Sequence, residues 1–227
     1  FIKATQDRMV LEIQRGCIRG CRFCQAGMIY RPNREKKVDH LKDVAAALIK
    51  NTGHEEISLS SLSSSDYKEL DELITFLLDI CKEKKINISL PSLRIDAFSL
   101  DIMQKVLDVK KSSLTFAPEA GTQRLRNVIN KGLTVDDIMN GSKQAFEGGW
   151  NKVKFYFMLG LPTETDEDVE GIVNLAAAVK KLYRERRTSG KELRLSISAA
   201  TFIPKPFTPF QWEGFAQRED IERKQSY

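Results

Sequence analysis

The residues of this sequence with the clearest chemical potential are three cysteines in the segment RGCIRGCRFCQAG. They are, in order, Cys17, Cys21 and Cys24. A structural zinc ion takes four ligands, so a zinc site would also need His40 or His54, which lie further along the chain. A Cys-x-x-Cys redox pair would leave one thiol unused. A four-iron cluster uses all three thiolates and leaves its fourth iron open to another ligand.

The remainder of the segment suits a loop that encloses such a cluster. Three glycines within it give the backbone the freedom to wrap closely around the inorganic core. Its arginines supply hydrogen-bond donors that could help to set the reduction potential. The fourth cysteine of the chain, Cys81, continues the apolar face of a predicted helix, so we expect it in the core.

Alternating strands and helices must position these cysteines. Helical stripes of apolar residues are predicted over 41–49, 70–81 and 122–130, with further helices capped by Ser99, Thr134 and Thr165. Between them lie six β-rich runs, at 9–13, 56–60, 86–90, 112–116, 152–158 and 193–199. Strands separated by helices predict parallel βαβ units. The expected fold is α/β, a partial (β/α)6 TIM-like barrel of parallel strands, with an open doubly wound sheet as the other candidate.

A polar segment, often with Gly or Pro, follows each predicted strand. The carboxyl ends of parallel strands share one face of the sheet, so these segments should build one composite site. The first of them, from about Gln14 to Asp39, is much longer than an ordinary βα connection, and long loops in compact domains usually serve function.

Composition narrows the setting of the protein. With 227 residues and 41% apolar content, the chain can form a single domain over 1–227. No apolar run is long enough to span a membrane, and three crowded cysteines favour a reducing cytoplasm over a disulfide framework. The net charge of +5 fits a solvated surface, and it also fits an anionic partner such as RNA near the basic run RPNREKK. Because the chain opens on Phe1, we expect it to be part of a longer protein with adjoining domains.

The cysteine spacing, with Phe23 just before the third cysteine, resembles the radical S-adenosylmethionine (radical SAM) superfamily. The resemblance implies a [4Fe-4S] cluster on the three cysteines and S-adenosylmethionine on the open iron. It further implies a 5′-deoxyadenosyl radical that abstracts hydrogen from a substrate, and a reductant such as flavodoxin or ferredoxin. The alternative is a non-catalytic iron–sulfur or zinc-binding interaction module on the same fold.

The same resemblance implies residues for binding S-adenosylmethionine, although it assigns no catalytic side chain. Phe23 would lie near the adenine. The segment PEAGTQRLRNVINKG is similar to one in methylthiotransferases, where the residues matching Glu119 and Lys131 contact the sugar or amino group and the carboxylate. Ser60 lies where relatives often carry Gly-Gly-Glu, from which this sequence departs. Arg94, at the end of the third strand, is a further candidate for an anionic group, unless Asp96 pairs with it.

More detailed features, SLSSLSSSDY and FIPKPFTPFQW, resemble a subgroup in which a cobalamin-binding domain precedes the radical SAM domain. No Asp-x-His-x-x-Gly cobalamin signature occurs in these residues. The resemblance therefore implies that the chain is the central catalytic domain, and that cobalamin, if used, is held by another domain. Relatives of this subgroup include methylthiotransferases and cobalamin-dependent methylases, which suggest transfer of a methyl or methylthio group. Modification of RNA is suggested by the basic excess and the run RPNREKK.

Overall fold

Six parallel strands form the framework of the protein. A computed structural model describes residues 7–90, 94–97, 114–188 and 190–227. Its strands are β1 (Met9–Glu12), β2 (Gln14–Arg15), β3 (Arg34–Glu35), β4 (Glu56–Ser60), β5 (Asn87–Ser89), β6 (Leu114–Glu119), β7 (Lys152–Leu159) and β8 (Arg194–Thr201). Its helices are α1 (Ala26–Ile29), α2 (Val38–Asn51), α3 (Leu70–Lys82), α4 (Gln123–Val128), α5 (Val135–Glu147), α6 (Asp166–Arg186) and α7 (Arg218–Ser226).

The long strands pair in two parallel sheets, with the orders β1-β4-β5 and β6-β7-β8. In the first sheet Leu11 lies beside Leu59, and in the second Phe155 lies beside Ile197. The described strands do not close into a full barrel. The α/β partial barrel of six parallel strands is therefore confirmed. The predicted helix from Ser99 and the first residues of the run 112–116 lie outside the described residues.

Amphipathic helices cover the sheets, as their apolar spacing predicts. The stripe on α3 is buried, including the fully packed Cys81, so the prediction of a core cysteine is confirmed. Capping boxes start α5 at Thr134 and α6 at Thr165, where each cap residue shares hydrogen bonds with an aspartate three positions on. These caps satisfy backbone N–H groups that would otherwise lack partners.

Each sheet has its own apolar core, and Leu90 packs against both. Tyr67 is the one aromatic residue among the described buried members of the first core, whereas the second contains six. These six are Phe116, Phe146, Trp150, Phe155, Phe157 and Tyr183. The two cores are therefore in contact through Leu90, and we expect the carboxyl ends of the two sheets to share one face.

The long loop after β1 is more structured than its sequence suggests. Its ends are joined by the short antiparallel pair β2–β3, and the single turn α1 follows the third cysteine. The C-terminal helix α7 was likewise not predicted, and it packs Ile221 into the second core. Within the described ranges, no helix combines the length and the apolar character needed to cross a bilayer.

Candidate active site

The three cysteines lie on one loop between β2 and α1. Cys21 is buried, whereas Cys17 and Cys24 are partly exposed. Two backbone N–H groups of the loop point at sulfur: Arg19 N lies 3.4 Å from Cys17 Sγ, and Gly27 N lies 3.3 Å from Cys24 Sγ. Thiolates that accept such hydrogen bonds are the donor set of iron–sulfur clusters. The residues present therefore fit an iron–sulfur cluster.

Side chains from other parts of the chain hold the carbonyl groups of this loop. Asn130 Nδ2 donates to Gly20 O at 2.8 Å, and Arg31 donates to Gly27 O at 2.9 Å and to Arg19 O at 3.2 Å. A Cβ at Gly20 would lie 2.9 Å from Asn130 Nδ2, so glycine makes this close approach possible. The loop is thus fixed from both sides by hydrogen bonds that do not depend on a ligand.

Phe23, Glu119 and Lys131 come together beside the cysteine loop. Lys131 Nζ lies 3.1 Å from the Glu119 carboxylate and 5.9 Å from the centre of the Phe23 ring. Burial raises the pKa of the Glu119 carboxyl, and Lys131 opposes that shift. Burial also raises the pKa of the Cys21 thiol, against the positive charges of Lys131 and Arg94. A carboxylate, an ammonium group and an apolar ring therefore share one partly buried space next to the thiols.

A strained turn presents Glu119. The pairing of β6 with β7 shifts register between Phe116 and Glu119, and Glu119 has a φ of +70°, in the left-handed region that side chains other than glycine rarely occupy. Gly121 follows and packs against the first turns of α6, where a Cβ would lie 2.3 Å from Asp168 O. Strain of this kind concentrates at functional sites. Close packing of backbone on backbone holds the turn.

The other two sequence-predicted residues have different surroundings. Arg94 donates two hydrogen bonds to Asp96, at 2.9 and 2.8 Å, so its guanidinium is already paired, as its neighbour in sequence suggested. Ser60 lines a cleft of about 400 Å³ with Ser61, Gly16 and other residues at the ends of β1 and β4. The contacts that unite Phe23, Glu119 and Lys131 in the described structure do not include Ser60.

The zinc alternative gains no support from the histidines. His54 pairs with Asp7 at 2.9 Å, before the start of β4 and thus at the opposite end of the strand from the loops that follow it. His40 lies in the first turn of α2. Among the residues that the structure describes, no three Cys, His, Asp or Glu side chains lie close enough together to bind one metal ion.

A loop rich in aromatic residues borders the cysteine loop. Gln25 donates to Pro206 O at 3.2 Å, and the rings of Phe202 and Phe210 meet edge to face at 5.9 Å. These two rings belong to a small apolar cluster against which Phe23 packs. Trp212, in contrast, is 90% exposed. The loop is therefore anchored on one side and presents aromatic surface on the other.

Several residues of the site were not assigned from sequence. Asn130 and Arg31 hold the cysteine loop, and Arg19 pairs with Asp66 from the segment after β4. Asn130 has a φ of +51°, and its sequence Asn-Lys-Gly is a turn signal that could have indicated this position. The contacts of Asp66 with Arg19 and of Asn130 with Gly20 join residues distant in sequence, for which a single chain gives no signal.

Comparisons with known proteins agree with this geometry. A family model described as "Radical SAM superfamily" matches residues 11–176. The chain is 43% identical over 206 residues to "Uncharacterized protein MJ0966" of Methanocaldococcus jannaschii, covering 91% of this chain and 43% of that protein. It is 27% identical over 165 residues to "Putative methylthiotransferase MJ0865" of the same organism, covering 70% of this chain and 36% of that protein. The chain thus spans less than half the length of these curated relatives.

A solved structure shows the same fold at low sequence identity. The radical S-adenosylmethionine methyltransferase TsrM from Kitasatospora setae superposes with a TM-score of 0.64 at 13% identity, over 89% of this chain and 38% of that one. The match of the family model covers most of the chain, including the cysteine loop and the Glu119–Lys131 segment. The chain belongs to the radical SAM superfamily.

Proposed function

We propose that this chain is the core domain of a radical SAM enzyme, in which Cys17, Cys21 and Cys24 hold a [4Fe-4S] cluster. The observation that carries the proposal is the placement of these thiols on one restrained loop beside the paired Glu119 and Lys131. When bound, the cluster and S-adenosylmethionine supply a 5′-deoxyadenosyl radical that takes a hydrogen atom from the substrate.

The residues beside the loop suit the ends of an amino acid. Lys131 can donate to a carboxylate, and Glu119 can accept from an ammonium group or a sugar hydroxyl. Both already lie at hydrogen-bonding distance from each other, so a ligand that carries both charges can replace one ion pair with two. Phe23 gives an apolar surface to a planar base and shields the pair from water.

Anaerobic reconstitution tests this proposal. The full-length protein should take up about four irons per chain and release 5′-deoxyadenosine when reductant and S-adenosylmethionine are added. Replacing Cys17, Cys21 and Cys24 together by alanine should abolish both signals. The matched control is Cys81→Ala, because that thiol lies in the core of the first sheet.

The outcome also separates the alternatives. If the triple variant still forms 5′-deoxyadenosine, the assignment is wrong. A wild-type protein that binds zinc, or that holds a cluster without cleaving S-adenosylmethionine, would be a non-catalytic metal-binding module.

For the finer reaction we propose transfer of a methylthio or methyl group. The supporting relative is the protein named as a methylthiotransferase, which matches 70% of this chain. Cobalamin would then come from an adjoining domain, and the reductant would be a flavodoxin- or ferredoxin-like protein. RNA as a substrate stays a prediction from the basic run. Within that run Arg31 holds the cysteine loop and Lys36 pairs with Glu12, so Arg34 and Lys37, both exposed, are left to contact RNA.

A further inference from the structure

We infer that Asp66 is a positioning residue that fixes the cysteine loop by holding the side chain of Arg19. Arg19 lies midway between Cys17 and Cys21, and Asp66 lies 47 positions on from it, in the turn that follows β4. The inference rests on the proposed function only in assuming that the cysteine loop binds a cluster. The contact itself belongs to the protein without a ligand.

Arg19 is bound at both its backbone and its side chain. Its N–H points at Cys17 Sγ, and its carbonyl accepts from Arg31. Its guanidinium donates in a forked arrangement to both Asp66 oxygens, with Nε 3.0 Å from Oδ2. Forked arginine–carboxylate pairs fix orientation as well as distance. A shift of the Arg19 side chain would therefore move the backbone that carries the first two thiols.

The carboxylate of Asp66 is well placed for this task because it is buried. The Asp66 side chain is 6% exposed, whereas that of Arg19 is 32% exposed. Burial alone would raise the pKa of Asp66, but the hydrogen bonds from Arg19 keep that pKa below its usual value. Removal of one partner of a buried charged pair costs more than the pair contributes on balance, since the other partner is left without compensation.

A second pair extends the connection to the rest of the site. Asp96 lies 3.9 Å from Arg19 and accepts two hydrogen bonds from Arg94, whose guanidinium also donates to Gly132 O at 3.3 Å. Gly132 adjoins Lys131 in sequence. Side chains of alternating charge thus connect the cysteine loop, through the segments after β4 and β5, to Gly132. Gly132 is next to Lys131, the residue predicted to bind the carboxylate of S-adenosylmethionine. Arg94, predicted to bind an anion, is one link in this chain of contacts.

The test uses the full-length protein, freed of metal by a chelator, and measures the alkylation rate of each cysteine. Asp66→Asn should raise the rate at Cys21 about tenfold, because this buried thiol reacts only when the loop opens, and opening no longer breaks a charged pair. Arg19→Gln should do the same, and the double variant should exceed neither single variant by more than about twofold, since both changes remove one contact. After reconstitution, both single variants should lose iron to chelator faster than the wild type.

The matched control is Glu56→Gln, which removes the Arg8–Glu56 ion pair at the other end of β4 and should leave all rates unchanged. Should Asp66→Asn fail to fold, Arg19→Gln carries the test, since Arg19 is partly exposed. Rates at Cys21 within twofold of the wild type in either folded variant would overturn the inference, as would single-variant effects that multiply in the double variant. Because the alkylation arm needs no cluster, a protein that never binds iron would refute the proposed function and leave this result intact.

Discussion

The cysteine loop comes after β1, the first strand of the first sheet, and the Glu119 turn comes at the end of β6, the first strand of the second sheet. Side chains from outside the cysteine loop hold it: Arg31 lies close in sequence, and Asp66 and Asn130 come from distant segments. The Glu119 turn instead lies directly on the backbone of α6 through Gly121. Each hydrogen bond of the cysteine loop can be removed by one substitution. The Glu119 turn, in contrast, is packed too closely against α6 to shift. The two halves of one site should therefore respond differently to small changes.

The apolar cores of the two sheets also differ in the type of side chain that they contain. The first core is built from aliphatic side chains on α2, α3 and the first sheet, whereas the second packs aromatic rings such as Phe146 and Tyr183, which meet edge to face at 4.9 Å. Buried aromatic rings fill large volumes with fixed shapes. We therefore expect the second half to be the more rigid of the two, which suits a strained turn.

The largest effect on stability is expected from Gly121→Ala, which tests whether the Glu119 turn can move. The added Cβ would lie within 2.7 Å of backbone atoms of Asp168, Gly171 and Ile172, none of which can rotate away. We expect the free energy of unfolding to fall by about 3 kcal/mol, as measured by urea denaturation of the full-length protein. Gly214→Ala, with open space around it, should stay within about 0.5 kcal/mol of the wild type. Equal effects of the two changes would show that the turn can yield.

The sequence alone predicted the framework of the site. The β-rich runs located the six longer strands, and apolar periodicity located described helices such as α2 and α3, each of which buries one regular face. Caps such as Thr134 and Thr165 marked helix starts because their hydrogen bonds are local. The cysteine spacing and the segment around Glu119 indicated the family for the same reason, since each is a short, continuous pattern.

The network that restrains the loop could not be predicted in this way. Arg19 meets Asp66 from 47 positions away, and Asn130 meets Gly20 from 110 positions away. Which of many charged residues pair depends on the register of the strands and the path of each loop. The short elements β2, β3 and α1 escaped prediction because they are stabilised by these contacts more than by their own periodicity.

An intermediate effect is expected from Asp168→Asn, in the first turn of α6. Asp168 is buried and accepts hydrogen bonds from Thr122, Arg124 and Thr165. Burial alone would raise its pKa, but these hydrogen bonds lower it below the usual value for aspartate. We expect the variant to lose about 2 kcal/mol at neutral pH. The matched control is the exposed neighbour Glu167→Gln, which should change stability by no more than about 0.5 kcal/mol.

The pH dependence of the contribution of Asp168 to stability follows from the lowered pKa of its carboxyl. A carboxyl with a lowered folded pKa adds stability above its unfolded pKa of about 3.9 and loses it as the pH falls further. The stability difference between the wild type and Asp168→Asn should therefore shrink below about pH 4. Unfolding curves in urea across that range measure it, and a difference independent of pH would contradict the assignment.

The smallest stability effect, and the sharpest contrast, is expected from Glu119→Gln. Burial raises the folded pKa of Glu119, so its ionised form costs stability at neutral pH, and the neutral amide can still accept from Lys131. We expect the free energy of unfolding at pH 7 to stay within about 1 kcal/mol of the wild type. As the pH falls, the free energy of unfolding of the wild type should rise relative to that of the variant. This rise should begin at the folded pKa of Glu119 and end near the unfolded pKa of about 4.3. The direction is opposite to that expected for Asp168.

The same Glu119→Gln variant should lose binding although it keeps its fold. Calorimetric titration of the reconstituted protein with S-adenosylmethionine should show affinity reduced about tenfold, since a charged acceptor has become neutral. Under the proposed function, Glu119 keeps its carboxylate in a buried, strained position because that carboxylate binds the ligand, whereas Asp168 stabilises the fold. Unchanged affinity together with a large loss of stability would reverse these roles and make Glu119 a structural partner of Lys131.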